Sequence, residues 1–412
     1  MPVLISTEEL QPGMALAEAL ITDGRVMLRG GRRLSGADIG VLRRRYPEQR
    51  MRVVDPLLDE FVKFEDDSRE RQCAAEIQRA AARASARIYE HAVAGVAIEA
   101  AEICRLAATV CEFVERLRVH RPIVVPLENE PDPPVHVRWG SGRVFYLSVL
   151  LALRCRDYVI SERRRETRLR NLRPDFADDL GPLGLGALLL DVSLAQRMAL
   201  LRTDRPLTDA ERQELLQHPR ASEKLLPREM SALARMVVRT HHENLCGTGY
   251  PRGTPGGKQH VFTRIVRIAD AFDAATSRGR YRAARSPARV LWEMSYGPHR
   301  ACYDTGPMQM FTRLIQPFTI GSRLRLHDGR TATVVQYNRE DAFDPAVVIA
   351  LDARNQPLPR EQIEGPLHLR AHPHLRLAAY DDEDLGFLYA DPPPAPAPAV
   401  AEFATAWEAA YP

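Results

Sequence analysis

The stretch that decides the fold reads HHENLCGTGYPRGTPGGKQHVFTRIVRIADAFD, from His241 to Asp273. Two adjacent imidazoles and a carboxylate (His241, His242, Glu243) open it. A glycine-rich turn through Gly247, Gly249, Tyr250 and Pro251 follows, and a segment carrying Asp270 and Asp273 closes it. Upstream, Met230, Leu233, Val237 and Val238 recur at helical spacing, which predicts a helix from about position 228 into His241 that presents the imidazoles at its C-terminal end. Cys246-Gly247-Thr248-Gly249 cannot continue it. Beyond the turn, Ile265, Ile268 and Phe272 mark an apolar stripe with Asp270 beside it, so a second helix returns a carboxylate to the neighbourhood. Neutral imidazole and carboxylate are ligands for borderline divalent ions such as zinc, iron, manganese, cobalt or nickel. A metal site is therefore the leading reading of the stretch. A bare histidine pair alone leaves a helix cap or a surface pair open as the plain alternative.

Working outward, 412 residues give room for two or three domains with a real core. A net charge of +3 does not favour a nucleic acid polymer as partner. The positive charge is almost all arginine, with Lys63, Lys224 and Lys258 as the exceptions, and this bias says nothing about a ligand. The cysteines, Cys73, Cys104, Cys111, Cys155, Cys246 and Cys302, show neither zinc-finger spacing nor a disulfide framework and read as reduced thiols of a cytoplasmic protein. No basic segment leads into an apolar core at the N-terminus, and no run of about 18 apolar residues occurs, so no membrane span is expected.

The expected architecture is mainly α: an all-helical domain with a small α+β N-terminal module and a small β C-terminal extension. Residues 1–60 form the module. It has strands within 14–21 and 25–28 about Asp23-Gly24, a helix capped by Ser35 and a strand over 51–54, and its roles are packing or regulation. Residues 61–120, rich in alanine and free of proline over 66–118, predict two long connecting helices broken near Gly95, with Cys104, Ala107, Ala108, Cys111 and Val114 as their apolar face. Such helices either pair across a homodimer through 66–118 or pack on their own domain. Pro122, Pro126, Pro131, Pro133 and Pro134 mark a boundary.

The helical domain spans 121–316. It includes a helix over 141–156, an apolar helix over 183–198 containing Asp191, and a helix started by the Thr208/Glu211 capping box that runs into His218-Pro219. Ser286-Pro287 begins another, and a last one ends near Pro317. Over 317–378 the pattern changes to strands at 323–326, 331–337 and 346–351, with His327, His372 and His374 as surface residues. The tail, 379–412, is rich in proline and alanine; Phe403, Trp407 and Tyr411 suit a short amphipathic helix.

The runs HHENLCGTGYP and RIVRIADAFDAATS, then Arg280-Tyr281-Arg282, together with the upstream LTDAERQELLQHP, resemble the HD-GYP family, bacterial metal-dependent phosphohydrolases associated with breakdown of cyclic di-GMP. The resemblance covers about 135 to 315. It implies an all-helical HD-type domain holding two or more metals, with a bridging hydroxide attacking a phosphodiester phosphorus.

By the resemblance, Asp191, His218, His241 and His242 map to one metal position, and Gly140, Leu190, Asp191 and Asp270 to its neighbour. Arg264, Arg280 or Arg282 would steady phosphate, and Gly247, Gly249, Tyr250 and Pro251 form the loop linked to partner contact, including GGDEF-type diguanylate cyclases. The sequence departs from the pattern at the metals. The family's His-Asp pair falls on Leu190-Asp191, its following lysine on Leu194, an earlier histidine on Gly140, and an arginine is displaced at Gly279-Arg280.

The second position thus keeps only carboxylates, so at most one divalent ion (iron, manganese, zinc, nickel or cobalt) is expected. A metal-free hydrogen-bonded cluster is the alternative, and for Asp270 a bond to an arginine or a helix end. The implied function is that of a degenerate HD-GYP protein of cyclic di-GMP signalling, with phosphodiesterase activity impaired or lost, acting through nucleotide or partner binding. The alternative is an active phosphodiesterase with a reduced metal site.

Overall fold

A computed structural model describes residues 2–22, 25–47, 49–55, 58, 68–120, 125–126, 142–166, 174–197, 200, 205, 207–277, 284–381 and 383–390. The chain divides into two compact units: Met1–Ser68, Pro126–Glu128 and Ile315–Ala390 in one, and Arg69–Val125, Asn129–Leu314 and Asp391–Pro412 in the other. Among the described residues no helix is long and apolar enough to cross a membrane.

The second unit is helical throughout its described core. Ser68–Ala94 and Ala100–His120 are its longest helices, and Gly95 between them takes the left-handed φ of +67° that ends the first. The apolar face of the second helix is rotated from the one expected. Ile103, Leu106, Val110, Phe113, Val114 and Leu117 are buried, whereas Cys104 and Cys111 are exposed. Larger branched and aromatic side chains take the core because each removes more apolar surface from water than a cysteine or alanine does.

Gly142–Arg154 is buried on nearly every side, as are the residues of Gly181–Leu188. The latter packs on Gly142–Arg154 and on Ala232–Thr240. A Cβ at Gly186 would lie 2.7 Å from Cβ of Val237, so the missing side chain is what lets the helix leading to His241 come so close. That helix starts at Ala232, not at 228, and buries Ala234, Val237 and Val238 as its pattern predicts. The capping box forms at Thr208: its hydroxyl accepts from Glu211 N, and Glu211 accepts from Thr208 N at 2.8 Å. Ser286 caps Pro287–Tyr296, and Thr305–Leu314 is the last described helix of the unit.

One expectation fails in a way that matters. The helix expected over 183–198 stops at Leu188, a turn follows, and a 3-10 helix resumes at Val192–Arg197. Asp191 thus sits in the break. The hydroxyl of Tyr89 donates to the carbonyl of Leu188 at 3.0 Å, taking up a helix-terminal acceptor. Beyond the break, Ser193 N donates to Ser222 Oγ at 3.1 Å and Ser193 Oγ to the carbonyl of His218 at 3.0 Å.

In the first unit the stretches read separately as 1–60 and 317–378 fall together. Pro2–Ser6, a strand beyond those expected for residues 1–60, pairs antiparallel with Arg50–Val54. Leu4 N donates to the carbonyl of Gly321 at 2.9 Å, and buried Arg52 donates to the carbonyl of Ile320 at 2.7 Å. Six antiparallel strands run in the order Glu364–His368, Ala346–Leu351, Thr331–Gln336, Arg323–Leu326, Leu377–Tyr380, Glu383–Asp384. The expected strands at 323–326, 331–337 and 346–351 are present, while the outer three lack the strong alternation that would have revealed them. His327 and His374 are exposed. Asp23-Gly24, the proline-rich boundary apart from 125–126, and the tail beyond 390 lie outside the described residues.

Candidate metal centre

His241 follows the last turn of Ala232–Thr240, His218 opens His218–Leu225, and Asp191 comes from the break described above. The two helix-end histidines are oriented in the same way. His218 Nδ1 lies 2.8 Å from the carbonyl of Leu215 and His241 Nδ1 lies 2.8 Å from the carbonyl of Val238. A carbonyl oxygen can only accept, so each Nδ1 carries the proton. Each neutral ring is then left with a lone pair on Nε2.

Those lone pairs converge. His218 Nε2 is 3.1 Å from His241 Nε2 and 3.2 Å from His242 Nε2. Asp191 Oδ1 is 3.3 Å from His218 Nε2 and 3.8 Å from His241 Nε2. All three imidazoles are buried, and one ligand atom from each lies within 4.8 Å of the others. The Nε2 lone pairs of His218 and His241, turned on each other in the interior, are unfavourable unless a cation or a donor stands beside them. Burial, then the charge of His218, hold His241 down at about 3, and burial and His241 hold His242 well below its usual value. A proton is therefore a poor cation for either ring. The arrangement fits a divalent ion, with backbone carbonyls fixing the tautomers of two ligands from behind. Without an ion, the Nε2–H tautomer of His242 donates to His218 Nε2 at 3.2 Å, which is the hydrogen-bonded alternative. Burial alone would raise the carboxyl of Asp191, but the hydrogen bond and charge of His218 outweigh it and bring it below the ordinary range.

Asp270 stands on the other side of His242, with Oδ2 3.5 Å from Nδ1. This is beyond good hydrogen-bond length, and that oxygen, fully shielded from solvent, has no hydrogen-bond partner among the described residues. Burial, then the charge of Asp191, push the Asp270 carboxyl well above the usual range. Leu190 is buried at 2 % exposure and offers no donor. Gly140 lies outside the described residues.

The glycine loop is built onto this centre. Both oxygens of Glu243 are used there, accepting from Arg252 N at 2.8 Å and Thr254 N at 2.7 Å, so Glu243 braces the loop and is not turned toward an ion. Tyr250 N donates to the carbonyl of His242 at 3.2 Å, and the Tyr250 ring stacks on the His242 ring with centroids 4.7 Å apart. Arg220 donates to the carbonyl of Pro251 at 2.9 Å. Gly249 is obligatory: a Cβ there would lie 2.3 Å from both Asn244 N and the carbonyl of His242.

Of the residues read as phosphate ligands, Arg264 is corrected. It is 8 % exposed, and it donates to Asp304 at 2.6 Å, Glu162 at 2.7 Å and Tyr158 Oη at 2.9 Å. Its guanidinium is committed to an interior ion-pair network. Arg280 and Arg282 lie outside the described residues. Residues the sequence did not single out include Ser193 and Ser222, bonded at 3.0 Å, which tie the Asp191 break to the His218 helix, and Tyr89. Serines in apolar helices carry no signal that distinguishes them before the fold is known.

Residues 184–305 match the model of the HD domain family, a span that includes Asp191, His218, His241, His242, Asp270 and the glycine loop. The chain is 28% identical over 186 residues to a cyclic di-GMP phosphodiesterase of Pseudomonas aeruginosa, covering 44% of this chain and 44% of that one. It is 38% identical over 165 residues to a 3'3'-cGAMP-specific phosphodiesterase of Vibrio cholerae, covering 40% of this chain and 33% of that one. It thus spans less than half the length of either relative. Among solved structures, an HDG"Y"P protein from Bdellovibrio bacteriovorus aligns with a TM-score of 0.40 and 14% identity, covering 76% of this chain and 98% of that one.

Proposed function

We propose that the chain belongs, through its helical unit, to the HD-GYP family of HD-domain proteins and binds a cyclic dinucleotide at a reduced, single-ion centre whose hydrolytic activity is impaired or lost. The observation that carries this reading is the convergence of the His218, His241 and His242 nitrogens beside Asp191, set against a buried leucine at 190. Donors for one ion are gathered there. At the neighbouring position Asp270 and Asp191 remain as carboxylates, with Leu190 and Gly140 where the family pattern has imidazoles.

When bound, a divalent ion at these four residues would polarise a phosphoryl oxygen and lower the pKa of a coordinated water. The chain's own contributions are separable from that. The carbonyls of Leu215 and Val238 hold His218 and His241 in the ligating tautomer. Asp191 supplies negative charge that offsets the ion. Tyr250, stacked on His242, covers that ring and limits water access. Burial and the charge of Asp191 favour the neutral form of Asp270, which must be deprotonated to act as a ligand. Hydrolysis through paired ions needs both positions filled, which is why activity is expected to be weak or absent while binding persists. The loop of Gly247, Gly249, Tyr250 and Pro251 is the surface we assign to a GGDEF-type signalling partner.

Two measurements on the purified chain test this: ions bound per chain by elemental analysis, and turnover of cyclic di-GMP beside a Gly140→His plus Leu190→His variant. One ion or fewer, with turnover well below that of the variant, is expected. Two tightly held ions, or turnover equal to the variant's, would overturn the proposal in favour of an active phosphodiesterase.

A further inference from the structure

The glycine loop contains a thiol that the metal centre does not use. Cys246 Sγ lies 3.9 Å from Cys302 Sγ, although the two residues are 56 positions apart. The backbone locks the approach, since Leu245 N donates to the carbonyl of Cys302 at 2.9 Å. Cys302 ends the 3-10 turn Arg300–Cys302 and is buried, while Cys246 is partly exposed. Thr248 Oγ1 is 3.0 Å from Cys246 Sγ and accepts from Asn244 Nδ2 at 3.1 Å. Hydrogen bonds from Cys302 and Thr248 favour the Cys246 thiolate, and the same contact pushes the Cys302 thiol up. One sulfur of the pair is thus accessible and nucleophilic; the other is shielded from solvent yet in contact with its partner. Reactive cysteines of redox sensors combine these properties.

We propose that Cys246 and Cys302 are a reversible thiol–disulfide modification site, oxidised by peroxide, that fastens the glycine loop to the 300–302 turn. The Cys246 thiolate attacks one peroxide oxygen, the O–O bond breaks, and the departing hydroxide takes a proton to become water, leaving a sulfenic acid on Cys246. The Cys302 sulfur then attacks the Cys246 sulfur, the S–S bond forms, the S–O bond breaks, and the hydroxide leaves as water with the Cys302 proton. Two thiols have lost two hydrogens, and hydrogen peroxide has been reduced to two waters. Disulfides of proteins in reducing compartments are characteristically transient ones of this sort. Closing to a bond length of about 2.05 Å moves the sulfurs together by roughly 1.9 Å from their 3.9 Å separation, drawing Cys246 from the Thr248 hydroxyl. The inference is independent of whether the centre hydrolyses anything.

The test treats the full chain with stoichiometric hydrogen peroxide and maps its peptides by mass. A Cys246–Cys302 cross-linked peptide is expected, lighter by two hydrogens, formed before exposed Cys104 or Cys111 is modified, and lost on adding dithiothreitol. In Cys302→Ser, whose side chain is nearly the same size, Cys246 should instead accumulate as a sulfenic acid captured by a cyclic 1,3-diketone. In Cys104→Ser plus Cys111→Ser the cross-link should form undiminished. If Cys246 and Cys302 both stay open to alkylation after denaturation, or if Cys246 proceeds to sulfinic acid with Cys302 still reduced, the proposal is overturned.

Discussion

Two buried polar clusters hang from the one helix Val261–Thr276, and they are built on opposite principles. At Arg264, both terminal nitrogens of the guanidinium meet acceptors: Asp304 and Glu162 face it at 2.6 and 2.7 Å, with Tyr158 Oη beside them at 2.9 Å. Six residues further on, Asp270 lies behind a set of imidazoles that turn like atoms toward one another at 3.1 and 3.2 Å. The first cluster pairs opposite charges supplied by the chain itself. The second gathers ring nitrogens whose lone pairs suit a cation placed among them. Burial and polarity are shared by both; the pairing of donors with acceptors is what separates an interior brace from a ligand site.

The largest expected effect lies in the ion-pair cluster. Arg264→Met would leave Asp304 without its cation and Glu162 with only Arg165, which pairs with it at 2.7 Å, and should cost about 3–5 kcal/mol in denaturant unfolding. A loss below about 1 kcal/mol would mean that the network is a loose surface pairing and that Arg264 can serve a ligand after all. Next comes the histidine cluster. A divalent ion at a hundred times its dissociation constant should raise the unfolding free energy by about 2.7 kcal/mol. His241→Ala should remove that increment, and a chelator should reverse it. An unfolding midpoint indifferent to ions would return the histidines to the hydrogen-bonded alternative.

The smallest effect is the pH response of the ion-free protein. His241 and His242 resist protonation in the fold, with His241 held at about 3, whereas unfolded imidazoles take up protons near 6.5. Their contribution to stability is therefore complete above the unfolded value and is lost as pH falls below it. Asp270 has the opposite sign: the fold keeps its proton where the unfolded chain, with its ordinary value of 3.8, has released it, so its contribution declines as pH rises. Two groups against one make stability fall as pH drops below the unfolded imidazole value of about 6.5. Stability of the ion-free protein that stays level or rises as pH is lowered from about 6.5 toward 4 would show that these groups do not titrate as described.

Legibility followed the range of the interaction. Helices at 232–240, 261–276 and 287–296 were readable because spacing and caps are local, and the Thr208 capping box was present as its four residues predict. His241, His242 and Asp270 were readable as a set because they share one stretch of chain. The break that releases Asp191 was not, since the hydroxyls of Tyr89 and Ser222 that secure it come from distant positions. The buried face of Ala100–His120 differs from the expected one because small and large apolar residues alternate around it, and only packing chooses between them. Pro2–Ser6 escaped because a strand of 5 residues has no meaning without the partner Arg50–Val54.

By itself the sequence determined which donors exist: imidazoles at 218, 241 and 242, carboxylates at 191 and 270, and a leucine at 190 that no folding can turn into a ligand. Covalent identity sets what an atom can donate, and it is fixed before any fold forms. Only the tertiary structure decided which way those donors point, that Arg264 is already committed, and that Cys246 meets Cys302. Each of those facts depends on distances of 3–4 Å between residues far apart in the chain, and such distances are set by packing.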